Sequence, residues 1–151
     1  MAISDLKLLS VYEGWDGYQV SLLHAVEPLT PSKLAWRPTE RHRSVGELVR
    51  HVALGRLTWF LRIDAPGSRD LAAQIPEWET DEAGNRYAHE ESMPITTDAT
   101  LLAGWLSSSW GMVDRMLKEW DIADLRKTYD TVGESATDHV MPANAGIQRP
   151  R

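Results

Sequence analysis

The chain has 151 residues, 42% hydrophobic and 25% charged, close to the averages of globular domains. This composition excludes wholesale disorder, and the length predicts one domain that can bury a hydrophobic core. The net charge of −6 disfavours a nucleic-acid-binding protein, which would be basic. Because no apolar run could span a bilayer and the first residues do not resemble a signal peptide, we expect a cytoplasmic protein that binds neither nucleic acid nor membranes.

The supply of metal-binding side chains is restricted. The sequence contains no cysteine and five histidines. Without thiolates, a transition-metal site has to be built from His, Asp and Glu. The histidines are therefore the first candidates for function.

Helical periodicity begins near the start of the chain. A first helix is predicted from about Asp5 to Glu27, because apolar residues recur there at steps of three and four. Its stripe consists of Leu8, Tyr12, Trp15, Tyr18, Leu22 and Val26. Thr30 and Pro31 then predict an N-cap and the first residue of a short helical turn that ends at Trp36.

A second helix is predicted from Val45 to Ile63. Ser44 and Glu47 have the spacing of a capping box, in which each side chain bonds to the other residue's backbone N–H. The predicted apolar stripe consists of Val45, Leu48, Val49, Val52, Trp59, Phe60 and Ile63. A long connection follows from about Arg69 to Thr97, and a connection of this length indicates a functional or covering segment. We expect its Trp78 and Tyr87 to pack across the helices.

The third predicted helix starts after an N-cap at Thr97-Asp98 and ends near Trp120. Its stripe consists of Leu102, Trp105, Leu106, Ser109, Met112, Val113, Met116, Leu117 and Trp120. Leu125 to Thr131 is predicted to be a short strand or an extended arm. Three long amphipathic helices predict an all-α helix bundle in residues 1–134, with most tryptophans in its core. Residues 135–151 contain two prolines and no helical period, so we predict an irregular, disordered tail.

His51 is the histidine whose position favours a function. On a helical wheel it lies about 120° to one side of the apolar stripe, near Glu47, Gly55, Thr58 and Arg62. Gly55 leaves space beside the imidazole, which predicts that His51 faces a neighbouring helix or a crevice. The residues alone leave two interpretations open: a half-buried histidine satisfied by hydrogen bonds, or a metal ligand or general base.

Two segments and one tryptophan resemble the DinB-like (DinB/YfiT) family. They are Leu34-Ala35-Trp36-Arg37-Pro38, then Ser44-Val45-Gly46-Glu47-Leu48-Val49-Arg50-His51-Val52-Ala53, then Trp59. The resemblance covers roughly Leu6 to Tyr129. It implies an up-down four-helix bundle, often homodimeric, with a divalent metal held by three histidines. It also implies that His51 is the metal ligand contributed by the second helix.

The sequence departs from this family at its C-terminal end. The family takes its other two ligands from a His-x-x-x-His pair on the fourth helix, and no such pair occurs here. His139 has Ala143 four residues further on, and Pro142 prevents a regular helix through it. We therefore predict a C-terminally truncated or altered bundle, whose fourth helix is missing or replaced and whose His139 is an exposed tail residue.

Two functions follow as hypotheses. The first is a metal-dependent enzyme of the DinB-like type, a thiol-dependent transferase or isomerase or a hydrolase. His51 would bind Zn or Ni there, Glu47 or Thr58 would orient it, and the substrate would be a small molecule. The second is a non-catalytic family member that binds no metal and forms a homodimer through the groove left by the missing helix. The remaining histidines, His24, His42 and His89, are predicted to be surface residues.

Overall fold

A computed structural model describes residues 5–82 and 84–126. Its α-helices are α1 (Leu8–Val11), α2 (Trp15–Val26), α3 (Pro31–Ala35), α4 (Val45–Arg62), α5 (Ser68–Ala72) and α6 (Ala99–Glu119). Two short strands, β1 (Trp78–Thr80) and β2 (Arg86–Ala88), form a hairpin, and Glu90–Ser92 and Asp124–Arg126 are single 3-10 turns. The mostly helical fold confirms the predicted class. Over the described ranges, the helices are too short or too polar to cross a membrane.

Helix α6 is the centre of the packing, and it contacts α1, α2, α4 and α5. It begins where the sequence predicts, because the Asp98 carboxylate accepts hydrogen bonds from the backbone N–H groups of Thr100 and Leu101. Its predicted stripe is confirmed, with Trp105 and Trp120 half-buried and the other members buried. This face contributes to two apolar clusters, one against Leu8 and Leu57 and the other against Val26, Leu34 and Val49.

The prediction of one continuous first helix is wrong. Gly14 adopts φ = 86°, a left-handed conformation that glycine tolerates, and the helix stops at Val11 and restarts at Trp15. The restart changes which residues are buried: Gln19 is only 4% exposed, whereas Tyr18, from the predicted stripe, is 75% exposed. A uniform helical period cannot anticipate this break.

Helix α4 has the predicted start and nearly the predicted end. The Ser44 hydroxyl accepts from the Glu47 N–H at 3.2 Å, and the Glu47 carboxylate accepts from the Ser44 N–H at 2.6 Å, which confirms the capping box. The buried face is rotated from the predicted stripe, so that Leu48 and Trp59 are 53% and 64% exposed. Val49 is buried as predicted, and the other buried residues of α4, which the stripe did not include, are Gly46, Arg50, Ala53, Leu54 and Leu57.

The long connection is more structured than predicted, because it contains helix α5 and the hairpin. The hairpin is antiparallel, with Trp78 opposite Ala88 and Thr80 opposite Arg86. Trp78 packs against the core formed by α1, α4 and α6, and its indole N–H donates to the carbonyl of Ala72 at 3.1 Å. The expectation that the connection lies across the helices is confirmed.

Two further predictions are corrected within the described ranges. Leu125 belongs to a 3-10 turn rather than to a strand or extended arm. The tryptophans are in part less buried than predicted, because Trp15, Trp36 and Trp59 are 40%, 60% and 64% exposed, whereas the other four pack against the two apolar clusters. His139 and the predicted tail of residues 135–151 lie outside the described residues.

The capping box predicts a pH-dependent stability. Hydrogen bonds from Ser44, reinforced by the positive charges of Arg37 and Arg50, hold the pKa of Glu47 below its usual value of 4.5 despite burial. The native carboxylate therefore contributes stability fully above the unfolded pKa, and the contribution is lost as pH falls through the lower native pKa. Glu47→Gln should have a lower free energy of unfolding than the wild type at neutral pH. This difference between the two proteins should disappear as the pH falls below about 4.5. Urea unfolding of both proteins across this pH range tests the prediction. A stability difference that does not change with pH would contradict it.

Candidate functional site

His51 opens into a cleft of about 440 Å³ between α4 and the connection that covers it. The α4 wall consists of His51, Leu54, Gly55, Thr58, Trp59 and Arg62, and the opposite wall of Tyr87, Ala88, His89, Glu90 and Glu91. The predicted crevice beside His51 is therefore present. No heavy atom other than its immediate neighbours lies within 4 Å of where a Cβ on Gly55 would be, which confirms the predicted space.

Glu90 fixes the orientation of the His51 imidazole. The His51 Nδ1 lies 2.5 Å from the Glu90 Oε1, and the His51 side chain is 48% exposed. An ionised carboxylate only accepts hydrogen bonds, so Nδ1 carries the hydrogen and Nε2 carries the lone pair of the neutral ring. Within residues 5–82 and 84–126, Nε2 has no hydrogen-bond partner, and it is the atom left to act on a ligand.

Glu90 is kept ionised by basic neighbours. Burial by itself would raise the pKa of Glu90, but the hydrogen bonds from Arg43 and His51 and the positive charge of Arg43 outweigh it and lower the pKa. The Arg43 guanidinium donates to both carboxylate oxygens, at 2.6 and 3.3 Å. Arg50 lies 3.7 Å away with its side chain only 6% exposed. At neutral pH the carboxylate is therefore available to hold Nδ1–H.

Arg50 attaches this part of the connection to α4. Its guanidinium donates to the carbonyl of Met93 at 2.8 Å, in addition to pairing with Glu90. The cleft wall that carries Glu90 is thus held against the helix that carries His51. The sequence places these residues 39 positions apart, and the only signal for Glu90 was an acidic pair in an unusually long connection.

A second pair of groups lies on the hairpin. Tyr87 donates its hydroxyl hydrogen to the Glu79 carboxylate at 2.6 Å, and this hydrogen bond raises the pKa of Tyr87, which stays a neutral phenol. His89 Nε2 lies 3.3 Å from the other Glu79 oxygen. His89 is half-buried in the cleft wall rather than a plain surface residue, which corrects the sequence prediction.

The other predicted site residues are placed differently. Glu47 is committed to the capping box and to an ion pair with Arg37 at 3.0 Å, and it does not line the cleft. The Thr58 hydroxyl accepts from the backbone N–H of Ala88 at 3.4 Å, so it attaches the hairpin to α4. His24 is exposed on α2, as predicted.

The described residues do not by themselves complete a metal site. Across residues 5–82 and 84–126, no three His, Cys, Asp or Glu side chains are grouped closely enough to hold a metal ion. His51 is one side chain in the cleft that could contribute to such a site, through its Nε2 atom. Any further ligand has to come from residues outside the described ranges or from a second molecule.

The fold and the cleft together define a helical domain with one oriented histidine beside a covering segment. A family model for the DinB superfamily matches residues 16–139 of this chain. Because the match covers most of the sequence, the chain belongs to the DinB superfamily, as the resemblance predicted. No curated protein and no solved structure matches it.

Proposed function

We propose that this DinB-superfamily protein binds a divalent transition metal, Zn²⁺ or Ni²⁺, through the Nε2 atom of His51 and acts on a small molecule in the cleft. The observation that supports the proposal is the His51–Glu90 hydrogen bond. Metal-binding histidines almost always donate their other ring N–H to a carboxylate, carbonyl or water, which fixes the tautomer and makes the free nitrogen more basic. Glu90 provides this arrangement on Nδ1.

The remaining ligands, under this proposal, come from residues outside the described part of the chain or from a second copy of the protein. One imidazole is too few, because Zn²⁺ sites in proteins use three or four protein ligands. A bound divalent metal with an open position supplies a Lewis acid that polarises a substrate or lowers the pKa of its bound water or thiol. The reaction class is then a thiol-dependent transfer or isomerisation, or a hydrolysis.

The chain's own residues would prepare the cleft for this chemistry. Glu90 holds the His51 ring so that its lone pair is directed away from the carboxylate. The Leu54 and Trp59 side chains provide apolar wall surface that reduces the water around a bound ligand. Tyr87 remains a neutral phenol whose hydrogen is engaged by Glu79, so it shapes the site without adding charge.

The second candidate function is a non-catalytic, dimerising helical protein. It is favoured by the exposure of large apolar side chains on two helices: Leu48 and Trp59 on α4 are 53% and 64% exposed, and Tyr18 on α2 is 75% exposed. Large apolar side chains that stay exposed favour association with another protein surface when they adjoin one another. In this case the dimer would form without metal.

Metal titration of the full-length protein distinguishes the two candidates. We expect stoichiometric Zn²⁺ or Ni²⁺ binding by calorimetry, loss of that binding in His51→Ala, and about 10- to 100-fold weaker binding in Glu90→Gln. His24→Ala is the matched control, since His24 is exposed on α2 and distant in sequence from the cleft, and it should bind metal like the wild type.

The opposite results have a clear meaning. A folded wild-type protein that takes up no metal and sediments as a dimer would overturn the metal proposal and support the second candidate. Metal binding that is lost equally in His24→Ala and His51→Ala would show that surface histidines, rather than the cleft, hold the ion.

A further inference from the structure

A second cavity, of about 380 Å³, lies between α2, α4 and α6 and shares no lining residue with the His51 cleft. Its walls consist of Trp15, Tyr18, Arg56, Phe60, Trp110 and Val113. Four of these six side chains are aromatic, and one is a cation. Its size is within the range of small-molecule sites, which are mostly apolar with a few polar groups that fix the ligand's orientation.

Among the described residues that line this cavity, Arg56 is the one that carries a charge. Its guanidinium donates to the Gln19 side-chain oxygen at 2.8 Å and to the Leu106 carbonyl at 3.4 Å, and it lies 5.6 Å from the centre of the Trp110 ring. All of these partners are neutral, and Arg56 forms no ion pair with a carboxylate of the described residues. Burial lowers the pKa of Arg56, as expected for a positive charge removed from water without an anion beside it.

Gln19 fixes the position of the Arg56 guanidinium by a hydrogen bond. It is only 4% exposed, its oxygen accepts from Arg56, and within the described residues its side-chain nitrogen is buried with no hydrogen-bond partner. A buried amide nitrogen without a partner and a half-buried cation without an anion both reduce stability. Gln19 does not line the cavity, whereas Arg56 does, so an anion bound in the cavity would supply the counter-charge that Arg56 lacks among the described residues.

We propose that this cavity binds a small aromatic carboxylate, whose carboxylate pairs with Arg56 and whose ring lies against Trp15, Tyr18 and Trp110. The planar guanidinium can bind a carboxylate through two parallel hydrogen bonds and can stack on an aromatic face at the same time. The aromatic walls favour a flat apolar body in offset or edge-to-face contact. This site is independent of the metal site proposed for His51.

The charge and the aromatic ring of the ligand distinguish an aromatic carboxylate from other possible ligands of this cavity. A neutral aromatic molecule would satisfy the walls and leave Arg56 without an anion, and an aliphatic anion would leave the rings of Trp15 and Tyr18 without a matching surface. An aromatic carboxylate provides both an anion for Arg56 and a flat ring for the aromatic walls. A carboxylate from the protein itself, on a second copy or on residues outside the described ranges, would instead fill the cavity and exclude the small molecule.

The test compares naphthoate with naphthamide, which have the same ring and differ in charge, by calorimetry on the full-length protein. We expect naphthoate to bind at least about tenfold more tightly than naphthamide, because only the carboxylate pairs with Arg56. Arg56→Gln should remove this difference. Arg62→Gln is the matched control, because Arg62 lies on the same helix and stacks on Trp59 at 4.6 Å, but in the His51 cleft.

A variant on the exposed wall tests the aromatic part of the site without risk to the fold. Tyr18→Ala removes a side chain that is 75% exposed, and it should weaken naphthoate and naphthamide by the same factor of about 2 to 10. If Arg56→Gln does not fold, the naphthoate–naphthamide comparison in the wild type and the Tyr18→Ala result still decide. Equal binding of the two compounds to the wild type, or no binding of either at millimolar concentration, would overturn the proposal.

Discussion

Glu90→Gln is expected to lower the free energy of unfolding by about 1–3 kcal/mol at neutral pH, because it removes the anion that Arg50 and Arg43 share. Most of the loss comes from Arg50, because its side chain is only 6% exposed and its charge cannot be solvated by water once the anion is gone. Glutamine keeps the size of the side chain and one acceptor oxygen. Its NH₂ group, however, replaces an oxygen that now faces guanidinium groups.

Glu91→Gln is the matched control for this prediction. Glu91 is the next residue along the chain, is exposed, and forms no ion pair with another described residue. Its substitution should change stability by less than about 0.5 kcal/mol. Urea unfolding with a chelator present separates this effect from metal binding. Equal stabilities of the two variants would show that Arg50 is satisfied by the Met93 carbonyl alone.

The starts of α4 and α6 were predictable from local signals, whereas the break between α1 and α2 and the short helix α5 were not. Ser44 and Glu47 mark the start of α4 by a capping box, and Asp98 marks the start of α6, because the groups that satisfy a helix's first N–H groups lie within three residues of it. The stripe of α6 was predictable because its buried residues recur at steps of three and four positions, which is the helical period. The face of α4 was not, since Arg50 is buried only through partners far away in sequence.

The candidate site was half predictable. His51 was identified from its position on the wheel and from the resemblance to a family, and the space beside it from Gly55. Glu90 was not, because a hydrogen bond between residues 39 positions apart depends on how the connection folds back over α4. The hairpin that directs this return was also missed, since each of its strands has only three residues.

Gly46→Ala is the second substitution with a large expected effect, and it should lower stability by about 1–3 kcal/mol. A Cβ at this position would lie 2.8 Å from the backbone oxygen of Thr96 and 3.4 Å from that of Leu34. Backbone oxygens cannot rotate away as a side chain can, so α4 has to move. The substitution should be destabilising although alanine is about 1 kcal/mol better than glycine within a helix.

Gly104→Ala separates the clash from this helix preference. Gly104 is exposed within α6, and an added Cβ would meet no atom within 4 Å beyond its immediate neighbours. It should therefore gain up to about 1 kcal/mol. Urea unfolding measures the stability changes of both variants, and the two values can be compared directly if the m-values are unchanged.

The sign of the Gly46→Ala effect tests how the site is built. Gly46 lies where α4 meets the end of α3 and the backbone just before α6, and His51 begins its side of the cleft five residues later on the same helix. Because these backbone oxygens lie so close to Gly46, a Cβ there moves α4 and shifts His51 relative to Glu90. Gly46→Ala should therefore weaken the proposed metal binding, whereas Gly104→Ala should not. A Gly46→Ala protein as stable as Gly104→Ala would mean that α4 and the segment before α6 are not in close contact.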